Sequence, residues 1–100
     1  MAEWTFLTNH AHVLLCVASD PGMRVRDIAD CVGITERAVH RIVSDLVEAG
    51  HLRRQRVGRR NHYEIDRGLT LRHPLERDHD VGRLLSELLE DPPRASPGAG

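Results

Sequence analysis

Residues 25–42 read VRDIADCVGITERAVHRI, and this stretch decides the fold. Its first half keeps helical spacing between Val25, Ile28, Ala29 and Val32, and Gly33 follows as the residue best able to take the positive φ that ends a helix. Thr35 can then cap a second helix, whose apolar residues follow a 3.6-residue period. A small side chain at Ala29 lets the two helices cross closely. The stretch therefore predicts a helix-turn-helix.

The helix predicted from Thr35 to Ala49 has two faces of different chemistry. One face is apolar and packs inward. It consists of Val39, Ile42, Val43 and Leu46. The opposite face is polar, and its candidates for contact with DNA are Glu36, Arg37, His40, Arg41 and Ser44. Thr35 at the N-cap leaves the positive end of the helix dipole open to a phosphate, and a guanidinium group pairs well with guanine. We interpret the polar face as one that the major groove of DNA would meet.

A plainer interpretation of the polar face stays open. Arg37 and Arg41 lie one helical turn apart, so each could pair with an acid of its own helix and merely make that helix more soluble. The acids within reach are Glu36, Asp45 and Glu48.

After Gly50 the spacing of apolar residues changes to about two, and residues 51–65, HLRRQRVGRRNHYEI, predict a β-hairpin. Five arginines fall within eight residues of its basic part, residues 53–62, and no acid stands between His51 and Tyr63. Like charges so close together repel one another unless an anion lies beside them. Strand alternation divides them between two faces, so the best candidates for DNA contact lie near the tip. They are Arg56, Arg59, Arg60 and Asn61. A solvated charged face remains the alternative.

Two further amphipathic helices flank this central region. Residues 7–19, LTNHAHVLLCVAS, predict a helix capped by Thr8 or Asn9. Its expected inward face consists of Leu7, Ala11, Leu14, Leu15 and Ala18. Residues 80–90, DVGRLLSELLE, predict a fourth helix with an apolar stripe. Residues 91–100, DPPRASPGAG, hold no core former and predict a disordered Pro/Gly/Ala tail.

Composition limits the classes of protein to which this chain can belong. Its 100 residues fit one domain, and no apolar run approaches the roughly 20 residues that span a bilayer. The net charge of −1 hides an uneven distribution, because residues 24–67 hold ten arginines against seven acids. The opening MAEWTFL has no basic segment, which argues against a signal peptide and predicts a cytoplasmic protein. We interpret Cys16 and Cys31 as buried small apolar residues rather than metal ligands or disulfide partners.

Residues 25–65, VRDIADCVGITERAVHRIVSDLVEAGHLRRQRVGRRNHYEI, resemble the winged helix-turn-helix DNA-binding domain of bacterial transcription regulators, above all the MarR-like and ArsR-like families. Within them, SDLVEAGHL resembles the usual exit from the recognition helix into the wing. The resemblance extends over residues 5 to about 90. It implies an α+β fold that is mostly α with a small β-hairpin: a three-helix core, a wing and a C-terminal amphipathic helix. The domain would span residues 1–90, with a dimerisation helix at about 80–90.

This resemblance implies a transcriptional regulator that binds double-stranded DNA as a homodimer and reads an inverted repeat. Recognition helix 35–49 and the basic wing 53–62 would make the contacts, and neither a cofactor nor a membrane partner is expected. The apolar stripe of the last helix is wider than a small core covers, so a second copy is expected to bury it. The residues expected at this dimer contact are Trp4, Phe6, Leu7, Val81, Leu84, Leu85, Leu88 and Leu89.

Two other functions stay open. One is a winged-helix module that binds protein, with the basic wing on an acidic partner. The other is an ArsR-like regulator that responds to a metal through His73, Glu76 and His79 in HPLERDH, but zinc needs three or four converging ligands, so no metal site is predicted. The sequence has no Ser-His-Asp set, phosphate-binding glycine loop or paired carboxylates, and no enzyme is predicted.

Overall fold

The computed structural model of the chain describes residues 4–89. Its elements in chain order are α1 (Asn9–Ser19), α2 (Val25–Val32), α3 (Glu36–Glu48), β1 (Leu52–Val57), β2 (Arg60–Ile65) and α4 (Val81–Leu89). The chain divides into two compact units, Met1–Asp66 and Arg67–Gly100, so α1 to β2 form the first unit and α4 belongs to the second. This is the winged helix α+β architecture that the sequence predicts. The predicted tail, residues 91–100, lies outside the described residues.

Short-range polar contacts explain where the helices begin and end. The hydroxyl oxygen of Thr35 accepts a hydrogen bond from the backbone N–H of Ala38 at 3.0 Å and caps α3. Thr8 caps α1 in the same way. Gly33 ends α2 in the left-handed region at φ 87°, and its N–H donates to the Ala29 carbonyl at 2.8 Å. The predicted bounds of α2 are confirmed, and those of α3 hold to within one residue at each end. Helix α4 begins one residue after the predicted Asp80, and its predicted end at Glu90 lies outside the described residues.

The core of the first unit lies where α1, α2 and α3 pack on one another. The predicted inward face of α3 is confirmed, because all four of its apolar residues are buried: Val39, Ile42, Val43 and Leu46. The prediction for α1 is wrong in part. Its buried residues are Val13, Leu14 and Val17, whereas Leu15 and Ala18 are only half-buried. Residues 13–17 are all apolar, so spacing alone could not decide which face turns inward.

The hairpin forms an antiparallel pair of strands in one regular register. Leu52 pairs with Ile65 at the open end and Val57 with Arg60 at the tip, which leaves Gly58 and Arg59 as a two-residue turn. Gly58 has φ 65°, as the first central residue of such a turn requires. Few side chains of the hairpin are buried. Leu52 and Tyr63 face the core near its open end, and residues 53–60 are all exposed.

The second unit begins with turns and continues into α4. The backbone N–H of Val81 donates to the Leu69 carbonyl at 2.9 Å, and the Asp80 carboxylate accepts from the N–H of Arg83 at 2.8 Å. These contacts define the first turn of α4. Val81 and Leu85 are buried within the chain, whereas Leu88 is 46% exposed. Within the described residues, no helix is both long and apolar enough to cross a bilayer.

Candidate nucleic-acid interface

The polar face of α3 is fully available to a partner. All five of its predicted contact side chains are exposed: Glu36, Arg37, His40, Arg41 and Ser44. Because the opposite face is buried, rotation of the helix about its own axis cannot hide them. Thr35 is also exposed, and while its oxygen accepts the capping hydrogen bond, its hydroxyl proton stays free to donate.

The arginines of α3 have no partner within the described part of the chain. Arg37 and Arg41 form neither an ion pair nor a side-chain hydrogen bond there, so the intrahelical pairing weighed above is not seen. Asp45 instead pairs with His10 of α1, with 2.9 Å between Oδ2 and Nε2. One of the three acids within reach of these arginines is therefore directed toward another helix.

The arginines of the wing differ in their contacts. Arg53 lies opposite Glu64 in the strand register and forms a salt bridge with it at 3.4 Å. The guanidinium of Arg60 donates to the Gly22 carbonyl at 2.7 Å. Arg56 and Arg59 are exposed, and their side chains have no hydrogen bond or ion pair among residues 4–89. Two of the three tip arginines predicted from the sequence are therefore free, and the third is held by a backbone oxygen.

The wing is attached to the turn between α1 and α2. Besides the contact of Arg60 with Gly22, the backbone N–H of Tyr63 donates to the Pro21 carbonyl at 3.0 Å. The turn thus pairs with the outer edge of β2. A hairpin bonded along its outer edge keeps a fixed position relative to the helices, which the contact of a wing with DNA requires.

A cleft of about 310 Å³ opens where this turn meets the wing. Its rim carries Arg24, Arg59, Arg60 and the half-buried Asn61. Arg24 was missed by the sequence interpretation because it lies more than thirty residues along the chain from the arginines that it joins in space. The sequence offered only one signal for Arg24: it lies just before α2, in the most basic part of the chain, residues 24–67.

The two cysteines are neighbours, which their spacing in the sequence does not reveal. Cys16 on α1 is half-buried and Cys31 on α2 is exposed, so the interpretation of both as buried is wrong for Cys31. Burial, together with the charge of the adjoining Cys31 thiol and a hydrogen bond with it, raises the pKa of the Cys16 thiol from its ordinary value of 9.0 to about 11. The Cys16 thiol therefore stays protonated at neutral pH.

The histidines of the connector are not brought together as metal ligands. Among residues 4–89, no group of three or more His, Cys, Asp or Glu side chains has the arrangement of a metal site, and this includes His73, Glu76 and His79. The Nδ1 atom of His73 instead accepts a hydrogen bond from the backbone N–H of Leu75 at 3.1 Å.

The apolar residues expected at a dimer contact differ in accessibility. Trp4 and Phe6 are 67% and 92% exposed and stack edge to face, with 5.1 Å between ring centroids. Leu7, Leu84 and Leu89 are half-buried, and Leu88 is exposed. Val81 and Leu85 are already covered within the chain, so they are not accessible to a second copy.

Comparison with known proteins agrees with the fold described above. A sequence profile of the MarR family matches residues 5–60. Among solved structures, the chain is similar to the zinc-dependent MarR family transcriptional regulator AdcR in its Zn(II)-bound state, with a TM-score of 0.51 and 20% sequence identity. That match covers 87% of this chain and 52% of the other, so the chain spans about half the length of the structure it matches. At this low identity, the match shows a common fold. A search of curated proteins finds no match.

Proposed function

The chain belongs to the MarR family of transcriptional regulators, and from that premise we propose that it binds duplex DNA as a homodimer, with α3 in the major groove and the wing on the adjacent backbone or minor groove. The observation that carries the proposal is the polar face of α3. Arg37 and Arg41 stand there one helical turn apart, exposed and unpaired among the described residues. Side chains left free in this way have their hydrogen-bond donors available to bases.

We assign the recognition of the DNA base sequence to α3. A guanidinium group donates two parallel hydrogen bonds to O6 and N7 of guanine, a pattern that no other base presents in the major groove. Arg37 and Arg41 would each read one guanine. His40, Ser44 and Glu36 lie on the same exposed face and would contact neighbouring base edges or phosphates. The Thr35 hydroxyl and the first N–H groups of the helix would meet a phosphate.

Most of the affinity is assigned to the wing. Arg56 and Arg59 are free to pair with phosphates, and each phosphate that they neutralise releases counterions from the DNA. Arg60 and Asn61 lie beside them, with Arg60 also bonded to Gly22. Contacts of this kind position the protein without selecting a sequence.

A homodimer would explain the exposed apolar residues and would read an inverted repeat. The Trp4 and Phe6 rings in the first unit and Leu88 in the second are large apolar groups open to solvent, and a second copy would cover them. Two copies would place their recognition helices in successive major grooves, about 34 Å apart. The proposal also assigns the protein to the cytoplasm, together with its DNA.

Selection of bound duplexes from a random pool tests the proposal directly. The expected outcome is enrichment of an inverted repeat whose half-sites are centred about one helical turn apart. Failure of any duplex to bind, even at low salt, would overturn the DNA-binding assignment and favour a module that binds an acidic protein. Native mass spectrometry with added zinc tests the alternative of a metal-responsive regulator. Our proposal expects no stoichiometric uptake of zinc.

Two variants divide the roles of helix and wing on the selected duplex. Arg37→Ala should lose about 1–3 kcal/mol of preference for one base pair and leave binding to random DNA unchanged. Arg56→Ala combined with Arg59→Ala should weaken binding to all sequences and lower the slope of log K against log salt by about 0.9 per phosphate contact. Arg72→Ala combined with Arg77→Ala in the second unit removes the same two charges and serves as the control. Equal slopes for the wing variant and this control would contradict the proposed role of the wing.

A further inference from the structure

The cleft beside the wing tip has the chemistry of an anion site. Three arginines are among the residues that line its volume of about 310 Å³: Arg24, Arg59 and Arg60. Asn61 adds an amide, and Tyr63 belongs to the apolar part of the wall. None of the residues that line the cleft is acidic.

The cations of this cleft are only partly neutralised by the protein. Arg60 donates to the Gly22 carbonyl at 2.7 Å, so one of its donors is satisfied by a neutral oxygen. Arg24 precedes the first residue of α2 and makes no side-chain capping bond. Within residues 4–89, neither the Arg24 nor the Arg59 side chain makes a hydrogen bond or an ion pair. Like charges that line one cleft repel one another, and an anion placed between them removes that repulsion.

Arginine identifies the class of anion. The planar guanidinium group offers donors in a fixed fork that matches the oxygen atoms of phosphate, and two such groups can hold one phosphate from two sides. All the cations of the cleft are arginines, and an apolar wall screens their charge less than bulk water does. The cleft adjoins the wing tip, where the proposed function already assigns DNA backbone contacts to Arg59.

We propose that this cleft seats one phosphate of the DNA backbone, held between Arg24 from the start of α2 and Arg59 from the wing. The inference rests on the proposed function and adds to it a contact outside both the recognition helix and the wing. Arg24 is the residue that it newly assigns. The DNA strand would thus be held at the junction between the helix-turn-helix and the hairpin.

Arg24→Gln tests the inference, with Arg26→Gln as the matched control. Both arginines are exposed, they are two residues apart, and each variant removes one positive charge, but Arg26 does not line the cleft. On the selected duplex, Arg24→Gln should lower the slope of log K against log salt by about 0.9, and Arg26→Gln should leave it unchanged. Equal effects of the two variants, with wild-type protein still binding DNA, would overturn the inference and leave the proposed function standing. A wild-type protein that binds no duplex would overturn both.

Neutral phosphate analogues identify the contact more sharply. Duplexes with a single methylphosphonate at successive positions should reveal one position whose neutralisation weakens the wild-type protein more than Arg24→Gln, in which only the Arg59 contact is left to lose. The same position should still weaken Arg26→Gln. If every position weakens wild type and Arg24→Gln equally, Arg24 makes no phosphate contact and the inference is wrong.

A separate titration distinguishes the DNA backbone from a free phosphate compound. Calorimetry with inorganic phosphate and with pyrophosphate should give no saturable binding in the micromolar range, because a backbone phosphate is held together with its neighbours along the strand. Micromolar binding of pyrophosphate that Arg24→Gln abolishes, with an unchanged DNA salt slope, would overturn the inference in favour of a small-molecule site.

Discussion

The recognition helix α3 and the hairpin β1–β2 both present arginines to solvent, but they do so by different means. On α3, Arg37 and Arg41 are free because helical periodicity buries the opposite face and leaves theirs outside. On the hairpin, chemically identical side chains have three different environments: a salt bridge for Arg53, a backbone carbonyl for Arg60, and solvent for Arg56 and Arg59. Availability on a helix is thus a local property, whereas on a hairpin it depends on register and on distant contacts.

The two regions also differ in how much of the core they supply. Four side chains of α3 are buried, whereas the hairpin buries only Leu52 and Tyr63 at its open end. Stability should therefore reside in the helices, and the outer part of the wing should tolerate change. The following predictions test that difference, in order of decreasing effect.

The largest difference is expected between matched apolar truncations. Ile42→Ala on α3 removes a side chain that is only 7% exposed and should cost about 2–5 kcal/mol in free energy of unfolding. Val57→Ala at the wing tip removes one that is 60% exposed and should change it by less than about 0.5 kcal/mol. Urea unfolding followed by circular dichroism measures both. Similar costs for the two variants would show that the wing tip belongs to the core.

The alkylation rates of the two cysteines test how well the helical region shields Cys16 from solvent. The raised pKa of Cys16, about 11, leaves roughly a hundredfold less thiolate than an ordinary cysteine has at pH 8. We expect iodoacetamide to alkylate exposed Cys31 at least about tenfold faster, and the rate at Cys16 to rise with pH until about pH 11. Peptide mapping by mass spectrometry measures both rates, with denatured protein as the control. Equal native rates would contradict the burial of Cys16.

The same pKa shift has a consequence for stability. The unfolded thiol loses its proton near its ordinary pKa of 9.0 and the folded one near 11, so above pH 9 the unfolded state binds fewer protons. Stability should therefore fall as the pH rises from about 9 to 11. Cys16→Ser should remove most of this dependence, measured as the midpoint of urea unfolding at each pH. A dependence that survives the substitution would assign it to other groups.

The two glycine turns should respond alike, although they lie in different regions. Gly33 after α2 and Gly58 in the hairpin both have positive φ, and a Cβ atom at either would meet nothing within 4 Å. Alanine at either position should cost about 1–2 kcal/mol through backbone strain alone. Asparagine should recover part of that cost because it tolerates the left-handed region. Thermal unfolding of the four variants measures this, and a much larger cost at Gly33 would reveal a packing role as well.

The smallest effect is expected from the register of the hairpin. Glu64→Gln breaks the exposed salt bridge with Arg53 and should change stability by less than about 1 kcal/mol. It should also strengthen DNA binding, because Arg53 becomes available to phosphates. Glu48→Gln on α3 removes the same charge without releasing an arginine and serves as the control. If both variants strengthen binding equally, only net charge matters and the pairing does not restrain Arg53.

Much of the helix-turn-helix could be predicted because its signals are local. Gly33, Thr35 and the apolar spacing of α3 lie within a few residues of the contacts that they make, and each was interpreted correctly. The inward face of α1 could not be predicted in the same way. Val13 and Val17 are buried in preference to Leu15 and Ala18 because of where α2 and α3 pack, and no spacing within α1 encodes that choice.

The residues of the candidate interface could likewise be predicted only in part. The exposed residues of α3 followed from its period, and the MarR resemblance of the sequence is confirmed by the family profile. The partners of the wing arginines did not follow. Arg60 lies 38 residues from Gly22 along the chain, and Cys16 and Cys31 become neighbours only when α1 packs on α2.

The sequence by itself determined the helices, the turn between α2 and α3, the hairpin and the polar face of the recognition helix, because caps, positive-φ glycines and periodicity act over a few residues. Only the tertiary structure decided which face of α1 turns inward, which wing arginines stay free, and that Arg24 joins Arg59 around one cleft. Those outcomes depend on contacts between residues far apart along the chain, and such contacts form only when the elements pack together.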